Sequence, residues 1–320
     1  MTYRHRKRNS GPLWAITSYF NPFSSRRRYL NYRAFRAHLS VPLVTVELGY
    51  GPYELSGTDA DVLIQIEGRD RIWQKERLLN VALTKLPADC QMVAWLDCDI
   101  VFTDAEWPTP TRKALQKWPI VQPFFAVYQG ASFNSDGPLP PPEHETSASR
   151  SLASRMLDGS VPISIFGTTG SSRRFGYQPG YAWAARRDVL EQEGLYDAFA
   201  IGCGDKAIAS AAYGRFADTV QAYRLSEAHA EHYCSWARRF YRRVGGRVGF
   251  VNCGLVHLWH GDPAKRARRA THDILRRFDF SPEEDLAVAG GGAWRWASAK
   301  PEMHRYVNNS LRDRCPDCDD

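Results

Sequence analysis

VAWLDCDIVF, at residues 93–102, is an apolar run that breaks abruptly into acid and then resumes. The apolar start predicts a strand, and carboxylates that end such a strand are costly unless they meet a cation or face a wet cleft. Asp97 and Asp99 are two residues apart, so on an ideal strand they would share one face. That arrangement suits one Mn²⁺ or Mg²⁺ ion bound by carboxylates and shared with substrate phosphates. A pair of solvated loop acids is the alternative.

The chain before this segment alternates apolar and amphipathic stretches. Strands are predicted at residues 13–16, 42–47 and 62–66, and helices at residues 24–39 and 73–86. Followed by the strand at 93–96, this order predicts an open α/β sheet with parallel strand pairs. Ligands of such sheets bind outside the carboxyl ends of the strands, which is where Asp97 and Asp99 lie.

A second motif, VHLWHG at residues 256–261, places His257 and His260 three residues apart at the end of a predicted strand. On a regular strand the two rings would point to opposite faces, so a shared ion requires a bend at the end of the strand. Core or surface histidines are the alternative. Combined with the two carboxylates, the pair becomes a candidate Mn²⁺ site with mixed carboxylate and imidazole ligands.

A third motif, IGCGDKAIA at residues 201–209, has glycines on both sides of a predicted helix start at Asp205. The carboxylate at that turn could accept a proton from a substrate hydroxyl. The alternative, which this local string alone favours, is a helix N-cap, a common role for aspartate.

The composition leaves several partners open. The chain has 320 residues, with 42 Lys+Arg against 35 Asp+Glu and a formal net charge of +7. Nucleic acid, an anionic membrane and a phosphorylated small molecule all fit this excess. A non-catalytic nucleic-acid-binding protein would explain the charge, but it gives no reason for the ordered aspartates and histidines. A metal-dependent nucleotidyl- or phosphotransferase is the other alternative, although the phosphate loop G-x-x-x-x-G-K-[ST] is absent.

We find no targeting signal in the sequence. No stretch of about 18 apolar residues could span a membrane. The N-terminal MTYRHRKRNSG is basic but has no apolar region like that of a signal peptide. We therefore expect a cytoplasmic protein. The hypothesis for the Arg clusters is that they hold it near an anionic membrane or acceptor.

Taken in order, five segments of residues 12–262 resemble metal-dependent glycosyltransferases of the GT-A fold, especially the β-1,4-galactosyltransferases and their galactosyltransferase-like C-terminal domain. The segments are WQKERLLNVAL (73–83), LDCDIVF (96–102), GYAWAARRDVLEQEGLYD (180–197), IGCGDKAIA (201–209) and VHLWHG (256–261). The resemblance implies a Rossmann-like α/β fold with a mixed, mostly parallel sheet flanked by helices. Each motif is weak alone, but the ordered set is fairly specific.

The resemblance also implies site residues. Asp97 would face the ribose and the metal, Asp99 would bind the metal, and His257 and His260 would complete the ligands of Mn²⁺ or Mg²⁺. Asp205 falls on the family's catalytic base. Contacts with the nucleotide sugar are implied for Trp73, Lys75, Asp97 and Gly180. Trp183 is a further candidate, because its ring could stack on a sugar face, and a place in the core is the equal alternative. The sequence departs from the family at Gly204 and Lys206, where the family is richer in acid, and at His257, where it often carries Met.

We therefore predict an inverting sugar transfer from a nucleotide diphosphate sugar, with UDP favoured by the resemblance, to a hydroxyl of a carbohydrate, lipid-linked or protein acceptor. No nucleic-acid partner is expected. The predicted organisation is a basic tail (1–11), a catalytic domain (12–262) and a C-terminal extension (263–320). Within the domain we expect a nucleotide-binding half (12–127), an irregular, flexible lid or acceptor region (128–178) and an acceptor and metal half (179–262).

Overall fold

The computed structural model describes residues 11–130, 148–168, 171–260 and 272–315. The predicted basic tail and the Arg-rich start of the C-terminal extension therefore lie largely outside the described residues. The strands are β1 Leu13–Phe20, β2 Leu43–Gly49, β3 Val62–Glu67, β4 Met92–Leu96, β5 Ile100–Phe102, β6 Ile120–Gln122, β7 Ala126–Gln129, β8 Ser149–Ser151, β9 Tyr177–Gln178, β10 Ala182–Arg186, β11 Val248–Phe250, β12 Gly254–His257, β13 Leu286–Val288 and β14 Trp294–Trp296.

The helices of the described residues cover both faces of a central sheet, and the last ones belong to the C-terminal segment. They are α1 Arg26–Ala37, α2 Lys75–Leu83, α3 Pro108–Lys117, α4 Leu152–Leu157, α5 Ser171–Phe175, α6 Arg187–Leu190, α7 Gly204–Ala212, α8 Phe216–Tyr223, α9 Glu227–Val244, α10 His272–Arg277, α11 Pro282–Asp285 and α12 Pro301–Arg312.

The central sheet of the described residues has the strand order β11-β6-β10-β4-β1-β2-β3. β1 pairs in parallel with β2 and β4, β2 with β3, and β6 with β11, whereas β10 runs antiparallel to both of its neighbours. All residues of β2 and of β4 are buried. This burial explains their continuous apolar character, because a parallel sheet is covered on both faces. The predicted α/β fold with a mixed, mostly parallel sheet is confirmed.

Alternate side chains of each central strand enter different cores. Ala94 of β4 packs on the side of α1 and α3, whereas Trp95 packs on the opposite side with α2, α7 and α9. The period of two along a strand produces this division. It places α2 and α7 together on one face, so that their N-terminal ends reach the carboxyl end of β4.

A second sheet carries the other half of the site, in the order β5-β12-β7-β8-β9. β12 lies between β5, to which it is antiparallel, and β7, to which it is parallel. Because β5 follows β4 after a short turn, this pairing brings the end of β12 beside the acidic segment at residues 97–99.

The region predicted as an irregular lid is partly regular. Residues 131–147 lie outside the described residues, but 149–157 form β8 and α4, and Leu152 and Ala153 are fully buried in the core. The expectation of an irregular segment is wrong for this part. The polar strand β8 pairs with β7, and Leu152 and Ala153 of α4 pack in the core, which the Gly, Ser and Pro content of the surrounding sequence did not indicate.

The C-terminal segment packs on the same core as the central sheet. Met303, Val307 and Leu311 of α12 are buried together with residues of α2, α7 and α9. Gln74 bonds to the backbone of Trp294 in both directions, accepting from its N–H at 3.0 Å and donating to its carbonyl at 2.8 Å. Residues 272–315 are thus tied directly to the start of α2.

Trp183 offers a test of the packing. The side chain is 1% exposed, stacks on Trp95 with ring centroids 6.2 Å apart, and donates from its indole to the Pro179 carbonyl at 2.8 Å. We expect Trp183→Ala to lower the free energy of unfolding by about 3–5 kcal/mol, because it leaves a large cavity. Urea denaturation measures the loss. Tyr53→Ala is the control, since the Tyr53 ring is 44% exposed. Equal losses for the two variants would contradict this packing.

Candidate active site

The acidic segment is a turn and not a continuation of the strand. β4 ends at Leu96, residues 97–99 turn, and β5 begins at Ile100. The Asp97 N–H donates to the Tyr181 carbonyl at 2.8 Å, and the Asp99 carbonyl accepts from Leu258 N–H at 2.7 Å. The expectation that both carboxylates share one face of a strand is therefore wrong. The turn sends them to two different groups of side chains.

Asp99 lies with His257 and His260. Its Oδ2 is 3.7 Å from His257 Nε2 and 3.6 Å from His260 Nε2, and the two imidazole nitrogens are 2.9 Å apart. One ligand atom from each residue can be chosen so that all three lie within 4.8 Å of one another. The bend predicted after β12 is present, because the strand ends at His257 and the chain brings His260 back beside it.

The orientation of His257 is fixed from its other ring nitrogen. Nδ1 lies 3.0 Å from Gln129 Oε1, which can only accept, so Nδ1 carries the proton. Nε2 is thereby turned toward Asp99 Oδ2 and His260 Nε2, which lie 3.7 and 2.9 Å away. The Tyr181 ring packs on the imidazole with centroids 4.6 Å apart. An outer partner of this kind orients a metal-binding histidine.

The donor atoms of this group suit a divalent cation. Burial alone would raise the pKa of Asp99, but contact with His257 and the nearby His260 lower it below the ordinary range. Asp99 Oδ1 is buried without a hydrogen-bond partner among the described residues. A buried orphan carboxylate oxygen beside two imidazole nitrogens fits the ligand preferences of Mn²⁺.

Asp97 belongs to a second group, centred on Lys75. Lys75 Nζ lies 2.5 Å from Asp97 Oδ1 and 2.9 and 2.8 Å from the two oxygens of Asp205. The side chain of Lys75 is only 10% exposed. Burial would lower its pKa, but Asp205, Asp97 and Glu76 together raise it well above the ordinary value. The ammonium is therefore charged and joins α2, the end of β4 and the start of α7.

Two carboxyls beside this ammonium hold protons more tightly than usual. Burial raises the pKa of Asp97 to about 7, against the lowering effect of Lys75. Burial also raises the pKa of Glu76 to about 7. Glu76 Oε2 accepts from the Trp73 indole at 2.9 Å, whereas its Oε1 is buried with no hydrogen-bond partner among the described residues. The group is rich in acid with a single lysine at its centre, so its ionisation depends on that lysine.

Glycines allow the close approaches in the Lys75 group. A Cβ at Gly180 would lie 2.9 Å from Asp205 Oδ2, and one at Gly204 would lie 2.2 Å from Glu76 Oε1. Tyr181, next to Gly180, has a φ of 72°, which is unusual for a residue with a side chain. The Gly180–Tyr181 turn touches both groups, because Gly180 faces Asp205 and Tyr181 packs on His257.

The two predicted tryptophans occupy different surroundings. Trp73 is half-buried, with Phe20 edge-on to its ring at 5.5 Å and the Arg314 guanidinium 4.7 Å from its centroid. Its indole donates to Glu76, and this bond places it beside the Lys75 group. Trp183 is enclosed in the core with Trp95 and has no exposed ring face for a nucleotide sugar. The described structure therefore brings together every predicted site residue except Trp183, with Asp97 on the Lys75 side.

Two residues of the site were not found from the sequence. Gln129 is the register partner of His257 across the parallel pair of β7 and β12. Nothing local to Gln129 marks it, since that pairing joins distant parts of the chain. Glu76 follows Lys75 directly, and the run of charged residues at the start of α2 was the available signal.

Comparisons with known proteins give weak structural likenesses. No family model and no curated protein matches the chain. TarS from S. aureus, residues 1–349, matches with a TM-score of 0.39 and 9% identity over 77% of this chain, which spans only 60% of that structure. Its complex with UDP-GlcNAc gives a TM-score of 0.41 and 9% identity, over 94% of this chain and 72% of that one.

Two further enzymes show similar or lower scores. PcManGT, a mannosyltransferase from Pyrobaculum calidifontis in complex with GDP-Man and Mn²⁺, has a TM-score of 0.34 and 14% identity over 63% of this chain and 51% of that one. The 4-diphosphocytidyl-2C-methyl-D-erythritol synthase of Anaerococcus prevotii has a TM-score of 0.33 and 10% identity over 94% and 99%. These values assign no activity to the chain, and the relationship to the β-1,4-galactosyltransferases stays a prediction.

The central role of Lys75 can be tested by removing its charge. Lys75→Met leaves Asp97 and Asp205 close together without the ammonium between them. We expect the free energy of unfolding at pH 7 to fall by about 3–5 kcal/mol, the usual effect of breaking a buried ion pair. Urea denaturation measures it.

The same variant has a predicted pH dependence. Without Lys75, the folded-state pKa of Asp97, already raised to about 7, should rise further above its unfolded value. A raised folded pKa stabilises the protein at low pH, and that stabilisation is lost as the pH rises through it. The deficit of Lys75→Met relative to the wild type should therefore shrink from pH 8 to pH 5. Lys85→Met, at an exposed position, is the control. A deficit that grows toward pH 5 would refute this account.

Proposed function

We propose that the chain is a metal-dependent glycosyltransferase that moves a sugar from a nucleotide diphosphate sugar to an acceptor hydroxyl with inversion. One observation supports it above all. Asp99, His257 and His260 form a group that could hold a cation, and the Gly180–Tyr181 turn connects this group to Asp205, which bonds to Lys75. Both groups lie at the carboxyl ends of strands or the start of a helix facing that edge, where open α/β sheets bind ligands.

Asp99, His257 and His260 would hold a divalent cation, Mn²⁺ or Mg²⁺. When bound, it would neutralise the diphosphate and stabilise it as the leaving group. Asp97 is the fourth predicted ligand, and its contact with Lys75 is compatible with a role next to the ribose. Lys75 stays the proposed contact for the diphosphate, and Asp97 and Asp205 share its ammonium.

Asp205 would act as the base. The acceptor hydroxyl oxygen forms a bond to the anomeric carbon, the bond from that carbon to the diphosphate oxygen breaks, and the hydroxyl proton passes to Asp205. Lys75 contacts both oxygens of Asp205, but each carboxylate oxygen keeps a second lone pair that can take the proton. Because Gly180 has no side chain, it does not cover the face of the Asp205 carboxylate that it lies against. The incoming hydroxyl would approach there.

Trp73 remains the proposed contact for the base of the donor. The base would meet the part of the ring that Phe20 and Arg314 do not cover. UDP as the nucleotide rests on the sequence resemblance. Among the partners, a carbohydrate, a lipid-linked sugar or a protein would supply the hydroxyl.

Arg238, Arg242 and Arg243 are exposed on the outer face of α9. They are the described part of the proposed contact with an anionic membrane. Across the residues with described structure, no helix has the length and apolarity of a membrane span.

Cation-dependent nucleotide binding is the first test. We expect UDP with Mn²⁺ to raise the melting temperature by several degrees, because a ligand that binds only the folded state stabilises it. Asp99→Ala should abolish the shift, while the exposed Asp89→Ala should keep it. Differential scanning fluorimetry with UDP, GDP and CDP, each with and without Mn²⁺, measures the effect. No shift with any nucleoside diphosphate would refute the proposed function, and a shift with short RNA alone would favour a nucleic-acid-binding protein.

Asp205→Asn separates binding from chemistry. The variant keeps the shape of the side chain but cannot take the proton, so we expect donor binding to remain while transfer falls by about 10²–10⁴-fold. A panel of nucleotide sugars, assayed for Mn²⁺-dependent release of nucleoside diphosphate with acceptor present, measures the rate. Unchanged transfer would show that Asp205 is not the base. Release of pyrophosphate from a nucleoside triphosphate, with none of diphosphate from a nucleotide sugar, would indicate a nucleotidyltransferase instead.

A further inference from the structure

The loop that leads into α7 has an unusual backbone. Gly202 has a φ of 89° and Cys203 a φ of 78°, so two successive residues are left-handed immediately before Gly204 and Asp205. For Cys203, which has a side chain, this conformation is unfavourable and persists only where the surroundings enforce it. The direction in which Asp205 leaves the loop therefore depends on the groups that hold residues 200–203.

Two of those groups come from the C-terminal segment. Arg314 Nη2 donates to the Ile201 carbonyl at 2.7 Å. His272 Nε2 lies 3.0 Å from the Gly202 carbonyl, and the ring is 4% exposed. Because a carbonyl only accepts, Nε2 carries the proton and donates. A Cβ at Gly202 would lie 2.9 Å from Arg314 Nη1, so the loop and the guanidinium are in close contact.

Arg314 also connects the loop to α2. Its guanidinium lies 4.7 Å from the centroid of the Trp73 ring, and the Trp73 N–H donates to the Ala200 carbonyl at 3.0 Å. The Trp73 indole in turn donates to Glu76, whose carboxyl packs against Gly204. The carbonyls of residues 200, 201 and 202 are thus each held by a different part of the chain.

We propose that Arg314 and His272 are positioning residues for Asp205, and that the C-terminal segment is in this way part of the active site. The inference rests on the proposed role of Asp205 as the base. Neither side chain touches the Asp205 carboxylate. They hold the loop at residues 200–203 through the carbonyls of Ile201 and Gly202, so that Asp205 enters α7 facing Lys75 and Gly180. Without them, the left-handed residues can relax and the carboxylate shifts.

Arg314→Ala, Arg314→Lys and Arg312→Ala test this proposal. Arg312 is an exposed arginine of the same segment and serves as the matched control. Hydrogen exchange is followed by mass spectrometry on peptides covering residues 199–208 and on peptides covering β1 and β4. In Arg314→Ala we expect exchange at residues 199–208 to be at least about tenfold faster, since a local opening becomes easier, with β1 and β4 unchanged.

Kinetics provide the readout that a merely structural role would not give. A displacement of a catalytic group by about 1 Å can cost about 10²-fold in rate. We therefore expect kcat for sugar transfer to fall by about 10- to 100-fold in Arg314→Ala. That loss should exceed any loss of affinity for UDP with Mn²⁺, which would report the contact of Arg314 with Trp73. Arg314→Lys, which keeps a donor for Ile201 and a cation over Trp73, should recover part of both the exchange protection and kcat.

The outcomes separate the two proposals. Wild-type protein that transfers no sugar and binds no nucleotide would refute the proposed function, and the exchange measurement would still decide whether Arg314 holds the loop. Exchange at residues 199–208 that matches Arg312→Ala would overturn the positioning role. So would a kcat equal to that of Arg312→Ala. If Arg314→Ala does not fold, Arg314→Lys against Arg312→Ala decides the question by the same two measurements.

Discussion

The site depends on the ion pairs that the Lys75 ammonium forms with Asp97 and Asp205. The ammonium is buried, it lies between Asp97 and Asp205, and it joins the start of α2 to the end of β4 and the start of α7. Burying one charge is expensive, and burying several is tolerated only when they are paired with good geometry. Three acidic side chains gather here because one lysine is fixed among them. The arrangement holds the starts of α2 and α7 beside the end of β4.

The cation-binding group depends on a different constraint, the pairing of β12 between β5 and β7. Antiparallel pairing with β5 places His257 opposite Ile100, next to the turn that carries Asp99. Parallel pairing with β7 places Gln129 beside His257. A shift of one residue in either register would turn the imidazole to the other face of the sheet. The position of His257, one of the three proposed metal ligands, is therefore set by strand pairing.

Local patterns predicted those parts of the structure that local interactions determine. The strand before Asp97, the helix predicted at residues 24–39 and the helix start near Asp205 follow from apolar runs and local polar residues. In the structure, Ser25 Oγ accepts from Arg28 N–H at 3.2 Å at the start of α1. The motifs also indicated most of the residues that meet in the site. Contacts across distant segments were beyond such patterns. The divergence of Asp97 from Asp99, the burial of Trp183 and the arrival of Arg314 at the Asp205 loop all depend on how separate elements pack.

The separation of these residues along the chain has a consequence for folding. Lys75 and Asp205 are 130 residues apart, and Gln74 and Trp294 are 220 apart. Contacts that close such long loops form late, because the chain entropy they remove must first be offset by other structure. A partly folded chain would contain the apolar strands but not the assembled carboxylate group. Recovery of ligand binding during refolding would consequently lag behind the recovery of secondary structure, and would report completion of the fold.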